Sequence, residues 1–346
     1  MCIVETLEDQ PSLQLTGVIG QGRALKQLET EMASGRLAHA YLFVGPMGCG
    51  RGSTALALFQ ALNCQDLKAG VACGQCPSCR KTLAGQHEDL IVLAPPGDQA
   101  SAQIKVEAVR EMIRAISFAP LGGHTRLVLI RQAAQLNPSS ANVLLKTLEE
   151  PPPRNLLVLT VQDPGEILPT LVSRCRRVNF LPLEEGLIAG ELMRRGLDPA
   201  AARLKAALSG GSLGRALELD QAQLTASLTR LLGHLAAPLG AVEDWALAEE
   251  LVAPFRGGER LDRQGLVELL DLLALYFRDG AVAAAGRPQA AFLAAGGLAP
   301  TGLDLTQASR GFELVRACQA QVLANAAPEL ALTVLLQGLR QPAAAV

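Results

Sequence analysis

The stretch Gly45-Pro-Met-Gly-Cys-Gly-Arg-Gly-Ser53 constrains this chain more than any other. It follows the apolar run Tyr41-Leu-Phe-Val44 and precedes the helix-like Thr54-Ala-Leu-Ala-Leu-Phe59. A strand, a glycine-rich turn and a helix start in that order form the context of a phosphate-binding loop. Glycines let successive backbone N–H groups converge on an anion, and the helix N-terminus adds positive potential. The usual pattern is G-x-x-x-x-G-K-[ST]. Gly45 and Gly50 fit it and Gly48 adds a further flexible position. Arg51 stands where the Lys belongs, Gly52 where a Mg²⁺-ligating hydroxyl belongs, and Ser53 comes one place late. The cradle is retained and its catalytic groups are changed.

The surrounding pattern is that of an α/β domain followed by helices. Apolar strand-like runs at 41–44, 89–94, 126–130 and 156–160 alternate with helical stretches at 18–37, 55–63, 104–116 and 139–150. In the stretch 104–116, Val106, Val109, Met112, Ile113 and Ile116 recur at three- and four-residue spacing. Such alternation predicts a mostly parallel sheet covered on both faces. Residues 1–15 read as a loosely ordered lead-in. After Pro182 the strand signal ends. Residues 183–219 form a small helical unit, and 221–339 are Leu/Ala-rich helices broken near Pro238, Gly257-Gly258, Gly286 to Pro288 and Gly296-Gly297.

Cysteines supply the second constraint. Cys64, Cys73, Cys76 and Cys79 follow the spacing C-x₈-C-x₂-C-x₂-C, which holds half of the chain's eight cysteines. Four thiolates at that spacing suit a closed tetrahedral Zn²⁺ site with a structural role, because no coordination position is left for substrate. Gly74 and Pro77 provide the turn geometry of a knuckle. His87 lies near enough to be weighed as a substitute ligand, although a lone His is more often a polar surface residue. A redox C-x-x-C would not need two more cysteines at fixed distance.

Composition narrows the remaining classes. Aromatic residues are 3% of the 346, and the net charge is −2, which argues against a free-standing module that binds nucleic acid by stacking or by a basic surface. The N-terminus has no signal-peptide pattern, and no run of 18 apolar residues is present, so a cytoplasmic protein without a membrane span is expected.

Several segments together carry a family resemblance. They are Leu37-Ala-His-Ala-Tyr-Leu-Phe-Val-Gly45, the cysteine insert, Asn142-Val-Leu-Leu-Lys-Thr-Leu-Glu-Glu-Pro-Pro152 and Ile167-Leu-Pro-Thr-Leu-Val-Ser-Arg-Cys175. With them the chain resembles the bacterial DNA polymerase III clamp-loader subunits of the AAA+ superfamily, from about residue 18 to the C-terminus. The resemblance implies an AAA+ P-loop-type domain at 1–180 with the zinc module at 64–79, a small helical lid at 181–220 and a helical collar at 221–346. It implies as partners the gamma/tau-type motor subunits and the delta subunit, with the sliding clamp and primed DNA reached through the complex. The chain is thereby expected to be part of the DNA polymerase III holoenzyme, a DNA-directed DNA polymerase.

Departures from the motor pattern point to the non-motor delta-prime branch. The phosphate loop lacks its Lys and hydroxyl. Where motor subunits carry Asp-Glu-Ala-His after the strand 127–130, this chain has Arg131-Gln-Ala-Ala134. Those acids hold Mg²⁺ and polarise the attacking water, which Arg and Gln cannot do. In Gly211-Ser-Leu-Gly-Arg215, Gly214 takes the place of the motor subunits' sensor arginine, with Arg215 one position on. The resemblance implies that Arg174, in Ser-Arg-Cys, acts in trans on nucleotide held by a neighbour. For the loop itself, empty and ATP- or ADP-bound states both stay open. The alternative is an ATP-binding or ATP-hydrolysing motor subunit in which Arg51 substitutes for the loop Lys.

Overall fold

The computed structural model describes residues 15, 17–68, 71–96, 102–122, 124–237, 240–257, 260–287, 292–293, 300 and 302–340. The lead-in before residue 15 and the expected breaks at Pro238, Gly258, Pro288, Gly296 and Gly297 lie outside these residues. The chain divides into two compact units, one of residues 1–187 with 211–214, the other of 188–210 with 215–346.

The first unit is built on a five-stranded parallel sheet of β1 (Ala40–Val44), β2 (Leu90–Leu93), β3 (Arg126–Ile130), β4 (Asn155–Val161) and β5 (Arg176–Asn179), in the order β2-β3-β4-β1-β5. Strands β1, β3 and β4 are buried along their whole length. That is why they read as continuous apolar runs and not as alternating ones. Their side chains still alternate between two cores. Tyr41, Phe43, Leu127, Leu129 and Val158 pack on one face with α1 (Gly22–Ala33) and α2 (Arg51–Asn63). Leu42, Val44, Val128, Ile130 and Leu159 pack on the other with α4 (Val106–Ile116), α5 (Pro138–Glu149) and α6 (Pro169–Val172). The short helix α3 (Pro77–Leu83) closes the cysteine insert.

Three features depart from the sequence reading. Strand β5 lies outside the strand-like runs of the sequence: it reads Arg-Arg-Val-Asn and Val178 is its one buried side chain. A polar sheet edge leaves no hydrophobic period to detect. Helix α1 begins at Gly22 and not at 18, because Gln21 takes a left-handed conformation. The Gln21 side chain bonds the Cys49 and Leu181 carbonyls (3.0 and 2.6 Å) and the Leu181 N–H (3.0 Å), which ties the helix start to the glycine-rich loop. Strand structure also returns after residue 182, as an antiparallel pair, β6 (Arg256–Gly257) and β7 (Arg260–Leu261).

The second unit is helical apart from that pair. Its elements are most of α7 (Glu185–Arg194), α8 (Pro199–Leu208), most of α9 (Leu213–Glu218), α10 (Gln221–Ala236), α11 (Ala241–Val252), α12 (Arg263–Ala284), α13 (Leu305–Leu323) and α14 (Pro328–Arg340). Its Leu-rich core is centred on α12, where Leu266, Leu269, Leu270, Leu272 and Leu273 are all buried. A buried polar cluster holds three helices together: Asp244 of α11 accepts from His234 of α10 (2.8 Å) and Arg340 of α14 (3.0 Å). Among the described residues no helix is long and apolar enough to cross a membrane.

Candidate functional site

Three separate groups of residues merit a site description: the glycine-rich loop, the cysteine cluster and the surface around Arg174. The loop lies between β1 and α2, as its sequence required. Gly45, Gly48 and Gly50 all have positive φ (155°, 70° and 103°). At Gly45 the requirement is also steric, since an added Cβ would lie 2.5 Å from the Phe180 carbonyl oxygen. The Gly45 N–H donates to the Val161 carbonyl at 3.1 Å, which ties the loop to the end of β4.

The side chains that should serve a bound nucleotide are spent elsewhere. Arg51 is buried, with its guanidinium donating to the Val161 carbonyl. Burial pulls its pKa down, against the attraction of Cys49 and Glu166. Ser53 is exposed and Gly52 has no hydroxyl. The Thr54 hydroxyl donates back to the Gly50 carbonyl at 2.9 Å. Arg131 brings a second guanidinium to the loop, its Nε and Nη2 3.9 Å from where a Gly52 Cβ would be. Gln132 follows in a left-handed conformation (φ 51°) with its N–H on the Thr160 hydroxyl. The arrangement presents positive charge, and positions 131 and 132 offer no carboxylate for Mg²⁺.

The segment Gly211–Gly214 packs against this loop within the first unit. A Cβ on Gly48 would fall 1.8 Å from the Ser212 Oγ. The Leu183 N–H donates to the Gly211 carbonyl at 2.9 Å. In the second unit, Arg215 pairs with Glu268 at 3.0 Å and Asp271 at 2.9 Å. The guanidinium that follows Gly214 is thus committed to α12.

Cys64, Cys73, Cys76 and Cys79 converge, with their sulfurs all within 4.8 Å of one another. A tetrahedron of sulfurs about 2.3 Å from a Zn²⁺ ion has edges of about 3.8 Å, so the group needs only a small contraction to close on a metal. Backbone N–H groups already point at the sulfurs. Cys73 N–H meets the Cys64 Sγ at 3.3 Å, Cys76 N–H meets the Cys73 Sγ at 3.2 Å, and Cys79 N–H meets the Cys76 Sγ at 3.4 Å. Such donors favour thiolate. The N–H groups of Gln75 and Cys76 lower the Cys73 pKa. At Cys76 burial opposes ionisation, but the N–H groups of Cys79 and Gln65 outweigh it and bring the thiol to about 6. Burial, with the neighbouring sulfurs, pushes Cys79 up to about 12, as expected where one more negative charge needs a cation. The four cysteines can hold a metal ion.

His87 is not a fifth candidate ligand, and it is buried, contrary to the surface position expected. Its Nδ1 accepts from the Asp89 N–H at 3.1 Å, which leaves Nε2 to donate to the Ser78 Oγ at 3.1 Å. Its ring stands edge-on to Phe59. It anchors the knuckle helix from below.

The Ser-Arg-Cys stretch follows α6, and its three side chains diverge. Cys175 turns inward, where burial pushes its thiol up to about 12. Ser173 donates to the Thr170 carbonyl at 3.1 Å. Arg174 faces outward, with Nη1 on the same carbonyl at 3.0 Å and Nη2 on the Glu149 carboxylate. In the sequence Glu149 is only part of the segment Asn142 to Pro152. Only a spatial neighbour, 25 positions away, gives it a more specific relationship.

The family model described as "DNA polymerase III, delta subunit" matches residues 20–184. The DNA polymerase III subunit delta' of Bacillus subtilis is 31% identical over 264 residues, 75% of this chain and 76% of that protein. The DNA polymerase III subunit tau of Escherichia coli is 34% identical over 254 residues, 70% of this chain but 38% of the longer tau protein. A DNA polymerase III gamma subunit-related protein of Thermotoga maritima aligns structurally over 91% of this chain and 98% of its own, with a TM-score of 0.47 and 18% identity. With its five-stranded parallel sheet and its helical C-terminal part, the chain belongs to the delta-prime type of DNA polymerase III clamp-loader subunits.

Proposed function

We propose that this chain is the non-motor subunit of a DNA polymerase III clamp loader, and that it lends Arg174 to the nucleotide site of a neighbouring motor subunit while the sliding clamp is loaded on primed DNA. The observation that carries the reading is the loop itself. It keeps the cradle glycines, yet Arg51 is turned onto the Val161 carbonyl and Arg131 stands where a metal-holding acid would be needed. A chain that cannot hold Mg²⁺ beside a γ-phosphate is poorly equipped to hydrolyse ATP. It can still contribute a guanidinium, whose planar fork suits phosphate oxygens.

The partners in this reading are gamma/tau-type motor subunits and a delta subunit, with clamp and primer–template reached through the assembly in the cytoplasm. Residues 1–180 form the nucleotide-binding-like domain, 181–220 a lid and 221–346 a collar. Val242 and Trp245 of α11 and Leu330 and Val334 of α14 are large apolar side chains between 42% and 79% exposed, as befits a surface covered by sibling subunits. The ion held by Cys64, Cys73, Cys76 and Cys79 is Zn²⁺ in a structural role, as closed all-thiolate sites are.

Measuring ATP binding and turnover by the purified chain tests the reading against the alternative of an atypical motor. Turnover at the buffer background is expected. Sustained hydrolysis by the lone chain would favour the motor.

A further inference from the structure

The surroundings of Arg174 contain more than the arginine. The side chain is 34% exposed and is held at two points. Nη1 donates to the Thr170 carbonyl at 3.0 Å, and Nη2 donates to the carboxylate of Glu149, the last residue of α5. The anchors come from different elements, one from backbone and one from a side chain. Together they fix the plane of a group that otherwise turns about four single bonds. A guanidinium has five N–H donors, and these two bonds use one on each terminal nitrogen. Nε and the remaining hydrogens are left for another acceptor. The fixed end of α5 also places the acid: Glu150 ends the helix and Pro151-Pro-Pro153 follows.

We infer that Glu149 is the positioning residue for Arg174: with the Thr170 carbonyl it holds the guanidinium facing out of the first unit, set to receive an anionic phosphate oxygen from another chain. The inference rests on the trans-acting role proposed above and adds the group that orients it. Glu149 is 49% exposed. An exposed ion pair of this kind adds little to folding stability. Its removal is therefore read in the chemistry and not in the melting curve. Orientation has a large lever on rate, since small misplacements of a catalytic group are costly.

The test uses the reconstituted clamp-loader assembly and follows steady-state ATP turnover with E149A, E149Q, R174A and the E149A/R174A pair. With E149A, kcat is expected to fall about tenfold, less than on removing the arginine, with KM for ATP and the melting temperature unchanged. E149Q keeps an acceptor oxygen for Nη2 and should recover most of the rate. The double variant should be no slower than R174A alone. Wild-type or faster turnover by E149A beside a slow R174A would overturn the positioning role and leave the trans arginine standing. Wild-type turnover by R174A would remove the trans role itself, and the positioning role with it.

Discussion

Asp89 and Arg126 form an ion pair sealed inside the first unit, at 1% and 4% exposure, with Nη2 and Oδ1 2.9 Å apart. Every N–H of the guanidinium has an acceptor, and both carboxylate oxygens accept backbone N–H groups. The carboxylate takes the N–H groups of Leu121 (2.9 Å) and Gly122 (2.7 Å), and the guanidinium reaches the carbonyls of Ala115, Phe118 and Ala119. The pair thus locks the loop after α4 to the starts of β2 and β3. Removing one partner of such a pair strands the other charge. Asp89→Asn is expected to destabilise the first unit by about 3–5 kcal/mol in chemical denaturation. A loss below about 1 kcal/mol, the scale of a solvated surface pair, would contradict the assignment.

The same acid sets a pH dependence. Burial alone would raise the Asp89 pKa, but the Gly122 and Leu121 N–H groups and Arg126 outweigh it and hold the acid below its ordinary value. A lowered native pKa gives stability that is fully present above the unfolded value of about 4 and is lost as pH falls through the native value. Denaturation midpoints followed from pH 6 down to about 2 should fall more steeply for wild type than for Asp89→Asn. Parallel curves would show that Asp89 is not the titrating group.

The cysteine cluster has its own outcome. Elemental analysis of the purified chain should find about one zinc per chain, and Cys76→Ser should lose it and lower the melting temperature of the first unit. Because metal holds thiolates, acid should release it as protons compete for the sulfurs. Metal-free protein that melts like the native chain would contradict a structural site.

Gly45 should tolerate no side chain. Gly45→Ala adds a methyl 2.5 Å from the Phe180 carbonyl oxygen at a φ of 155°. The contact is with backbone, so relief requires the end of β1 or the residues after β5 to move. A cost of about 1–3 kcal/mol is expected. By contrast Gly85→Ala, with a positive φ of 69° but nothing within 4 Å, isolates the backbone strain alone and should cost less. Equal losses would show that crowding at Phe180 contributes nothing.

Much of the first unit was legible because buried parallel strands and amphipathic helices leave strong local periods. The runs at 41–44 and 126–130 and the helix ending at Ile116 lie where the periods put them. The cysteine spacing likewise carried the cluster. What was not legible depends on partners distant in sequence. Strand β5 is three-quarters polar and exists because β1 offers it a register from Tyr41 to Val44. His87 looked solvated until Ser78, Asp89 and Phe59 closed around it. Glu149 takes its place from Arg174, 25 positions away, and Arg51, at the position of the loop Lys, is turned onto the Val161 carbonyl by a strand 110 residues on.

In the function proposed above, this chain lends Arg174 to a neighbouring site and turns over no nucleotide itself. The decisive measurement is steady-state ATP hydrolysis by the clamp-loader assembly, reconstituted once with wild-type chain and once with Arg174→Ala, with equal incorporation verified by size-exclusion chromatography. A trans arginine in other nucleotide hydrolases contributes about 10³–10⁵ in rate at its own site. With Arg174→Ala, turnover is expected to be lost only at the one motor site next to this subunit, seen as a substantial fall in the total rate and in clamp loading. Wild-type turnover and loading by a fully assembled Arg174→Ala complex would contradict it.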